Sequence, residues 1–110
     1  QGRRDAIENR AVLHEGLWYD RDGKAIGVAD MVRLCRDHEY RVVARDFVGR
    51  TEICTVWLGF DHSFRGRVPL LFETIVFGGR MDQYQRRYTT EESARTGHAK
   101  VLASVRLLSE

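Results

Sequence analysis

Three polar positions stand out because each is surrounded by apolar sequence. Asp61 and His62 follow directly on an apolar run, Glu73 interrupts a second one, and His98 falls on the apolar side of the last helical pattern. Two imidazoles and a carboxylate can bind a divalent metal ion or carry out acid–base chemistry. If His62, Glu73 and His98 converge in a cleft, they are the candidate catalytic or metal-binding residues of a small enzyme.

A structural role for the same residues is the alternative. Asp61 can cap the loop that follows it, and His98 can be a hydrogen-bonded histidine of the core. Glu73 can form an ion pair with an arginine of a neighbouring strand. The arginines available for this pair are Arg45, Arg86 and Arg87. Strand register decides between the two roles, because a slip of one residue moves Glu73 relative to His62.

The last helical pattern predicts that His98 faces the sheet. Its apolar stripe contains Ala94, His98, Val101, Val105 and Leu108. A buried histidine needs a partner for at least one ring nitrogen, and we expect Glu73, or alternatively His62, to be that partner. Gly97 precedes the histidine, although a glycine inside a helix costs on the order of 1 kcal/mol relative to alanine. Close approach of a neighbouring backbone is one reason for a glycine at this position.

The loop between the two apolar runs is basic. Arg65 and Arg67 flank a glycine there, and arginines at a loop tip can bind a phosphate or an acidic partner. A solvated loop without a partner is the alternative. The candidate ligand- or partner-binding residues are therefore Asp61, His62, Arg65, Arg67, Glu73 and His98.

The bulk composition excludes several classes of protein. The chain has 110 residues, enough for one domain spanning 1–110, in which 1–16 is expected to be an accessory N-terminus. Charged residues make up 31% and alternate in sign, with a net charge of +2, whereas a nucleic-acid binder usually gathers a basic excess on one face. No apolar run is long enough to span a bilayer, and the first residues do not resemble a signal peptide. A start at Gln1 rather than Met is expected of a trimmed fragment.

No motif in the chain specifies a reaction or a cofactor. Phosphate-binding and dinucleotide-binding glycine patterns, zinc-ligand spacings and the nucleophile elbow are all missing from the sequence. The two cysteines, Cys35 and Cys54, lie in apolar surroundings and are expected to be unpaired thiols in a reducing cytosol.

The stretch 51–79 organises the predicted fold. Two apolar runs rich in β-branched and aromatic residues flank a polar loop at 61–67, which predicts two long antiparallel strands. The even-numbered positions of the first run are all apolar, so they are predicted to form the core face, with Leu58 and Phe60 nearly fully buried. Flanking strands at 41–48 and 83–89 complete the sheet, and Gly49-Arg50 suits a type II′ turn.

Helices are predicted on both sides of this sheet. Residues 28–38 carry one apolar stripe, and the C-terminal helix begins with the spacing of a capping box, Thr89 to Glu92. Asp22-Gly23 predicts a small N-terminal hairpin. The fold class is therefore α+β. It comprises an antiparallel meander of about four strands, a short helix before it and an amphipathic C-terminal helix packed on one face.

Five segments, taken in order, resemble a known family. They are YDRDG (19–23), HEYRVVARDFVG (38–49), CTVWLGFDHSF (54–64), PLLFETIVFGG (69–79) and RRYTTEESARTGHAKV (86–101). Together they resemble a family of small proteins of unestablished activity, encoded in bacteriophages, prophages and bacterial genomes. The pattern of that family includes Asp61, His62, Phe72, Glu73, Thr74, Gly78, Gly79, Tyr88, Gly97 and His98. The loop 65–69 is more basic here than the family pattern.

The resemblance implies an accessory protein of phage origin in the cytoplasm of a host bacterial cell. Small size, balanced charge and the lack of a catalytic motif favour a non-enzymatic protein that binds a host protein or a small ligand, for instance as an inhibitor of a host process or defence system. The alternative is a small metal-dependent or acid–base enzyme that uses His62, Glu73 and His98. A nucleic-acid-associated protein that uses the arginines is a weaker alternative.

Overall fold

The computed structural model describes residues 18–61 and 68–109 and confirms the α+β fold class. The helices are α1 (Val28–Cys35), α2 (His38–Arg41) and α3 (Glu91–Leu108). The strands are β1 (Val42–Val48), β2 (Thr51–Trp57), β3 (Phe72–Phe77) and β4 (Gln85–Tyr88). None of the helices in this part of the chain is both long and apolar enough to cross a bilayer.

The four strands form one antiparallel sheet in the order β1-β2-β3-β4, as the predicted meander requires. Gly49 has φ 60°, and Arg50 does not share a positive φ, as expected for a type II′ turn between β1 and β2. In the middle of the sheet, Thr55 of β2 pairs with Ala44 of β1 on one side and with Thr74 of β3 on the other.

One face of the sheet, here called the inner face, is covered by α3. Its residues on the two central strands are buried: Thr51, Ile53, Thr55 and Trp57 on β2, and Phe72, Thr74 and Val76 on β3. The predicted core face of β2, formed by the even-numbered positions, is therefore wrong. Hydropathy favoured that face because the inner face contains threonines, whose hydroxyl groups find hydrogen-bond partners inside the core.

Leu58 and Phe60 are half-buried, so their predicted full burial is also wrong. The reason is that β2 ends at Trp57 and both residues belong to the connection that follows it. The Leu58 N–H donates to the Leu71 carbonyl at 2.8 Å, and the Phe60 ring lies 5.0 Å from that of Trp18. Phe60 thus packs on the N-terminal hairpin, and the Leu58 backbone pairs with the segment before β3.

The helix predicted over 28–38 is two helices. α1 ends at Cys35, and Asp37 then caps α2 by accepting a hydrogen bond from the Tyr40 N–H at 3.2 Å. Among the described residues, the end of α1 contacts the core, where Leu34 and Cys35 pack on it. The part of the chain before residue 18, including the predicted N-terminal segment 1–16, lies outside the described residues.

α3 begins one residue later than the predicted capping box. The Thr90 hydroxyl, rather than that of Thr89, caps it by accepting from the Ser93 N–H at 3.1 Å. Its buried stripe is the predicted one, except that Leu108 is exposed: Ala94, His98, Val101 and Val105 face the sheet. The helix divides the core into a cluster around Trp57 and a second cluster around Ile53 and Val76.

The predicted N-terminal hairpin is present and is tied to α3. Tyr19 pairs with Ala25 across the turn. Arg21 reaches from this turn to Glu91, making a bidentate ion pair in which its Nε donates at 2.9 Å. Both cysteines are unpaired, which confirms that prediction, although each is half-buried rather than buried.

Candidate functional site

His98 faces the sheet and is 4% exposed, as predicted. Its partners are different from the expected ones. Nε2 lies 2.8 Å from Asp46 Oδ2, and Nδ1 lies 2.7 Å from Thr55 Oγ1. The predicted partner Glu73 is therefore wrong, and the alternative, His62, lies outside the described residues.

The hydrogen bonds of His98 belong to a longer series, here called the polar chain, which runs Asp46–His98–Thr55–Thr74. Each of β1, β2, β3 and α3 contributes one member. A carboxylate only accepts hydrogen bonds, so in the neutral imidazole Nε2–H donates to Asp46 and Nδ1 accepts from the Thr55 hydroxyl. Thr55 then accepts from the Thr74 hydroxyl, so all of the hydrogen bonds in the polar chain run in one direction.

The polar chain has the connectivity of a hydrolytic triad, in which a carboxylate orients an imidazole that activates a hydroxyl. Its burial argues against that chemistry. Thr55 and Thr74 are both 0% exposed, so a substrate cannot reach either hydroxyl. The Asp46 side chain, at 45% exposed, is the only end that meets solvent. The polar chain is a structural joint between α3 and the sheet, in line with the core-histidine alternative.

Glu73 lies on the opposite face of the sheet, here called the outer face. It accepts a hydrogen bond from Arg87 Nε at 3.3 Å, across the β3–β4 pair. This ion pair is the structural alternative expected for Glu73. Because the sheet separates Glu73 from His98, the predicted convergence of these two residues in one cleft is wrong.

Asp61 caps the connection after β2, since its Oδ1 accepts from the Leu70 N–H at 3.1 Å. The other candidate residues of this connection, His62, Arg65 and Arg67, lie outside the described residues, so their part in a site stays a prediction. Within 18–61 and 68–109, no group of three or more histidine, cysteine or carboxylate side chains is arranged to hold a metal ion.

Gly97 is explained by the Tyr88 side chain, not by a neighbouring backbone. A Cβ added at Gly97 would lie 2.2 Å from Cε1 and from the hydroxyl oxygen of Tyr88, so only glycine leaves room for this ring. Tyr88 is 6% exposed, and its hydroxyl is buried with no hydrogen-bond partner among the described residues. A buried polar atom without a partner is uncommon in native structures.

Tyr88 and Gly97 form part of the wall of a cleft of about 450 Å³ between β4 and α3, here called the β4–α3 cleft. Its other lining residues are Arg86, Glu92, Ser93, Thr96 and Lys100. The Arg86 guanidinium lies over the Tyr88 ring at 5.7 Å. No pattern in the sequence predicted this cleft. The one signal for it was a glycine inside a helix, which indicated a close neighbour without naming it.

In the described part of the chain, the outer face is open to solvent. Its residues on the four strands are half-buried or exposed, and none is buried: Val42, Arg45, Phe47, Glu52, Cys54, Val56, Glu73, Ile75, Phe77, Gln85 and Arg87. Glu52 pairs with Phe47 on β1 and with Phe77 on β3, so the two rings lie in one row across three strands. They are 57% and 42% exposed.

A shallow depression of about 230 Å³ lies on the outer face beside this row. It is lined by His38, Arg41, Val42, Arg45, Glu52, Cys54 and Val56. Arg45 Nε donates to Glu52 at 2.6 Å, while Arg41 forms no ion pair with any residue of the described ranges. Burial, and secondarily the charge of Glu52, raises the pKa of the Cys54 thiol. Cys54 is therefore a neutral floor residue of the depression at physiological pH and not an activated nucleophile.

Comparison of the chain with protein-family models, with curated proteins and with solved structures finds no match.

Proposed function

We propose that this chain is a small non-enzymatic binding protein that docks on another protein through the outer face of its sheet. The observation that carries the proposal is the row in which Phe47 and Phe77 flank Glu52 on an uncovered sheet. Neighbouring strands are about 4.8 Å apart, which places the two rings about 10 Å from each other. Exposed aromatic side chains on a contiguous surface are typical of protein interfaces, where they act as anchors.

The charges of the outer face define the partner's chemistry. Arg45 is neutralised by Glu52, and Arg87 by Glu73, so these pairs leave no net charge. Arg41 then adds a positive charge next to the apolar floor of the depression. The complementary surface presents apolar side chains that are flanked by carboxylates, and we propose an acidic protein surface as the occupant.

The resemblance of the chain to phage and prophage proteins supports a proposal about the cell in which this partner is found. We propose that the chain is an accessory protein in the cytoplasm of a bacterial host, and that the partner is a host protein, for example a component of a host process or defence system. A small protein without a catalytic motif can inhibit such a process simply by occupying a surface.

The alternatives have less support. An enzyme that uses His62, Glu73 and His98 together is disfavoured because the last two lie on opposite faces of the sheet. Nucleic-acid binding by the arginines of the outer face is disfavoured because Arg45 and Arg87 are each paired with a glutamate.

The test compares Phe47→Asp and Phe77→Asp with the control Leu107→Asp, which changes a still more exposed apolar residue on α3. Each protein is used to capture partners from a bacterial lysate, and any protein lost with both phenylalanine variants is purified and titrated against all three. We expect at least a tenfold weaker Kd for the two variants, or about 1.4 kcal/mol, and an unchanged Kd for the control.

If all three variants capture the same proteins equally well, the outer face is not the binding surface. Sedimentation of the wild type alone covers a different outcome. If it is a dimer that Phe47→Asp dissociates, the face is a self-interface and the proposal of a host partner fails. Thermal unfolding of the variants checks that each substitution leaves the fold intact, as expected for exposed positions.

A further inference from the structure

We propose that the β4–α3 cleft is a second binding site, and that it takes a phosphomonoester carried on a hydroxyl-rich body, such as a pentose phosphate. The cleft opens on the α3 side of the sheet, whereas the outer face is on the other side, so this site is independent of the proposed protein partner. Its volume of about 450 Å³ is that of a small-molecule site.

The helix wall of the cleft is a polar stripe. Ser93, Thr96, Gly97 and Lys100 recur at three- and four-residue spacing, so they lie on one side of α3 and face β4. Two of them supply hydroxyl groups and one supplies an ammonium group. This stripe runs beside the buried apolar stripe of the same helix, so the side chains are positioned by a packed element and not by a loop.

The charge of the cleft selects an anion. Arg86 on β4 and Lys100 on α3 line it from both walls, and neither forms an ion pair within the described parts of the chain. A phosphate dianion can accept hydrogen bonds from a guanidinium, an ammonium and neighbouring hydroxyls together. Glu92, the one carboxylate in the lining, accepts only, so it suits the hydroxyl groups of the ligand's body.

Tyr88 fixes the wall of the cleft beside Gly97. The residue is 6% exposed, and its hydroxyl oxygen lies against Gly97 with essentially no solvent-accessible surface. A ligand in the cleft therefore meets the Tyr88 ring and not the buried hydroxyl.

The experiment is an NMR titration of the protein with ribose 5-phosphate, AMP, ribose and inorganic phosphate. We expect saturable shifts of the Thr96, Gly97 and Lys100 amides with ribose 5-phosphate or with AMP, and none with ribose. Tighter binding of AMP would identify a nucleotide as the source of the phosphomonoester, and tighter binding of ribose 5-phosphate a free sugar phosphate. If inorganic phosphate binds as tightly as both of them, the proposal that the ligand has a hydroxyl-rich body is wrong.

Variants separate a site from general attraction of anions. Lys100→Ala and Arg86→Gln are expected to weaken binding at least tenfold, while Arg106→Ala, which removes a cation from the last turn of the same helix, leaves it unchanged. Equal weakening by all three, or no saturable shift at concentrations on the order of 10 mM, would overturn the proposal.

Tyr88→Phe tests whether the ligand meets only the ring of this side chain. The substitution removes an unpartnered buried hydroxyl, so the free protein should be as stable as the wild type or more stable. Its affinity for ribose 5-phosphate should match that of the wild type, because a ligand in the cleft cannot reach the buried oxygen. A tenfold loss of affinity would contradict this placement of the ligand.

Discussion

Thr55 shows, at the residue scale, why hydropathy pointed to the wrong side of β2. Its hydroxyl counts as polar in any sequence pattern, yet it is fully buried because His98 and Thr74 satisfy it. Asp46, a misfit in an otherwise apolar face of β1, has the same explanation, since it accepts from His98. These hydrogen bonds join residues from four different elements, so no single position in the sequence predicts them. The burial of His98 could be predicted, whereas its partners could not.

His98→Ala should lower the free energy of unfolding by about 2–4 kcal/mol, because it leaves a cavity and removes the hydrogen bonds of His98 to Thr55 and Asp46. Urea denaturation measures this loss. His98→Asn, which keeps a polar group of smaller size, should recover part of it. A loss below about 1 kcal/mol for the alanine variant would mean that the polar chain does not hold the helix to the sheet.

Gly97→Ala should destabilise the protein by about 1–3 kcal/mol, even though alanine is the better helix former, because its Cβ would collide with the Tyr88 ring. The matched background is Tyr88→Ala, in which the collision is removed. There the same Gly97 substitution should be neutral or stabilising by up to about 1 kcal/mol. Equal changes in stability in both backgrounds would show that contact with Tyr88 is not the reason for the glycine at position 97.

At the scale of the elements, the sequence predicted the strands, their antiparallel order and the buried stripe of α3 closely. These features depend on local patterns, such as apolar alternation, a glycine turn and helical spacing. Which face of the sheet is covered does not depend on a local pattern. Both faces of β3 are largely apolar, so the buried face is decided by where α3 packs. For the same reason Glu73 and His98 could be placed on their elements but not on opposite sides of the sheet.

The Arg21–Glu91 pair joins two elements, the N-terminal hairpin and α3. The hydrogen bond from Arg21 holds the pKa of Glu91 below its ordinary value of 4.5. A carboxylate with a lowered pKa stabilises the folded state above its unfolded-state pKa, and this contribution is lost as the pH falls through the folded-state pKa.

The stability difference between the wild type and Glu91→Gln should therefore be constant near neutral pH and should close as the pH falls below about 4.5. Chemical denaturation of both proteins across this range measures it. Arg21→Ala is the control background, since it removes the first cause of the lowered Glu91 pKa, and the Glu91→Gln difference should be smaller there. If the stability difference between the wild type and Glu91→Gln persists in acid, the ion pair is not its source.

At the scale of the whole molecule, the two sides of the sheet have separate roles. The inner face is closed by α3, and the core clusters and the polar chain lie there. The outer face is left open with its two phenylalanines, and the β4–α3 cleft lies at the end of the sheet where β4 is the edge strand. The proposed protein partner and the proposed ligand can therefore be bound at the same time.

The polar chain also limits the ways in which this sheet can be misaligned. Apolar residues on both faces of β3 would let a strand shifted by one residue still bury hydrophobic surface. A shift of β2 would turn Thr55 away from α3 and leave Nδ1 of the buried His98 without its partner, and a shift of β3 would take Thr74 away from Thr55. Each shifted alignment therefore costs the hydrogen bonds of buried polar groups, whereas a wholly apolar joint would lose none.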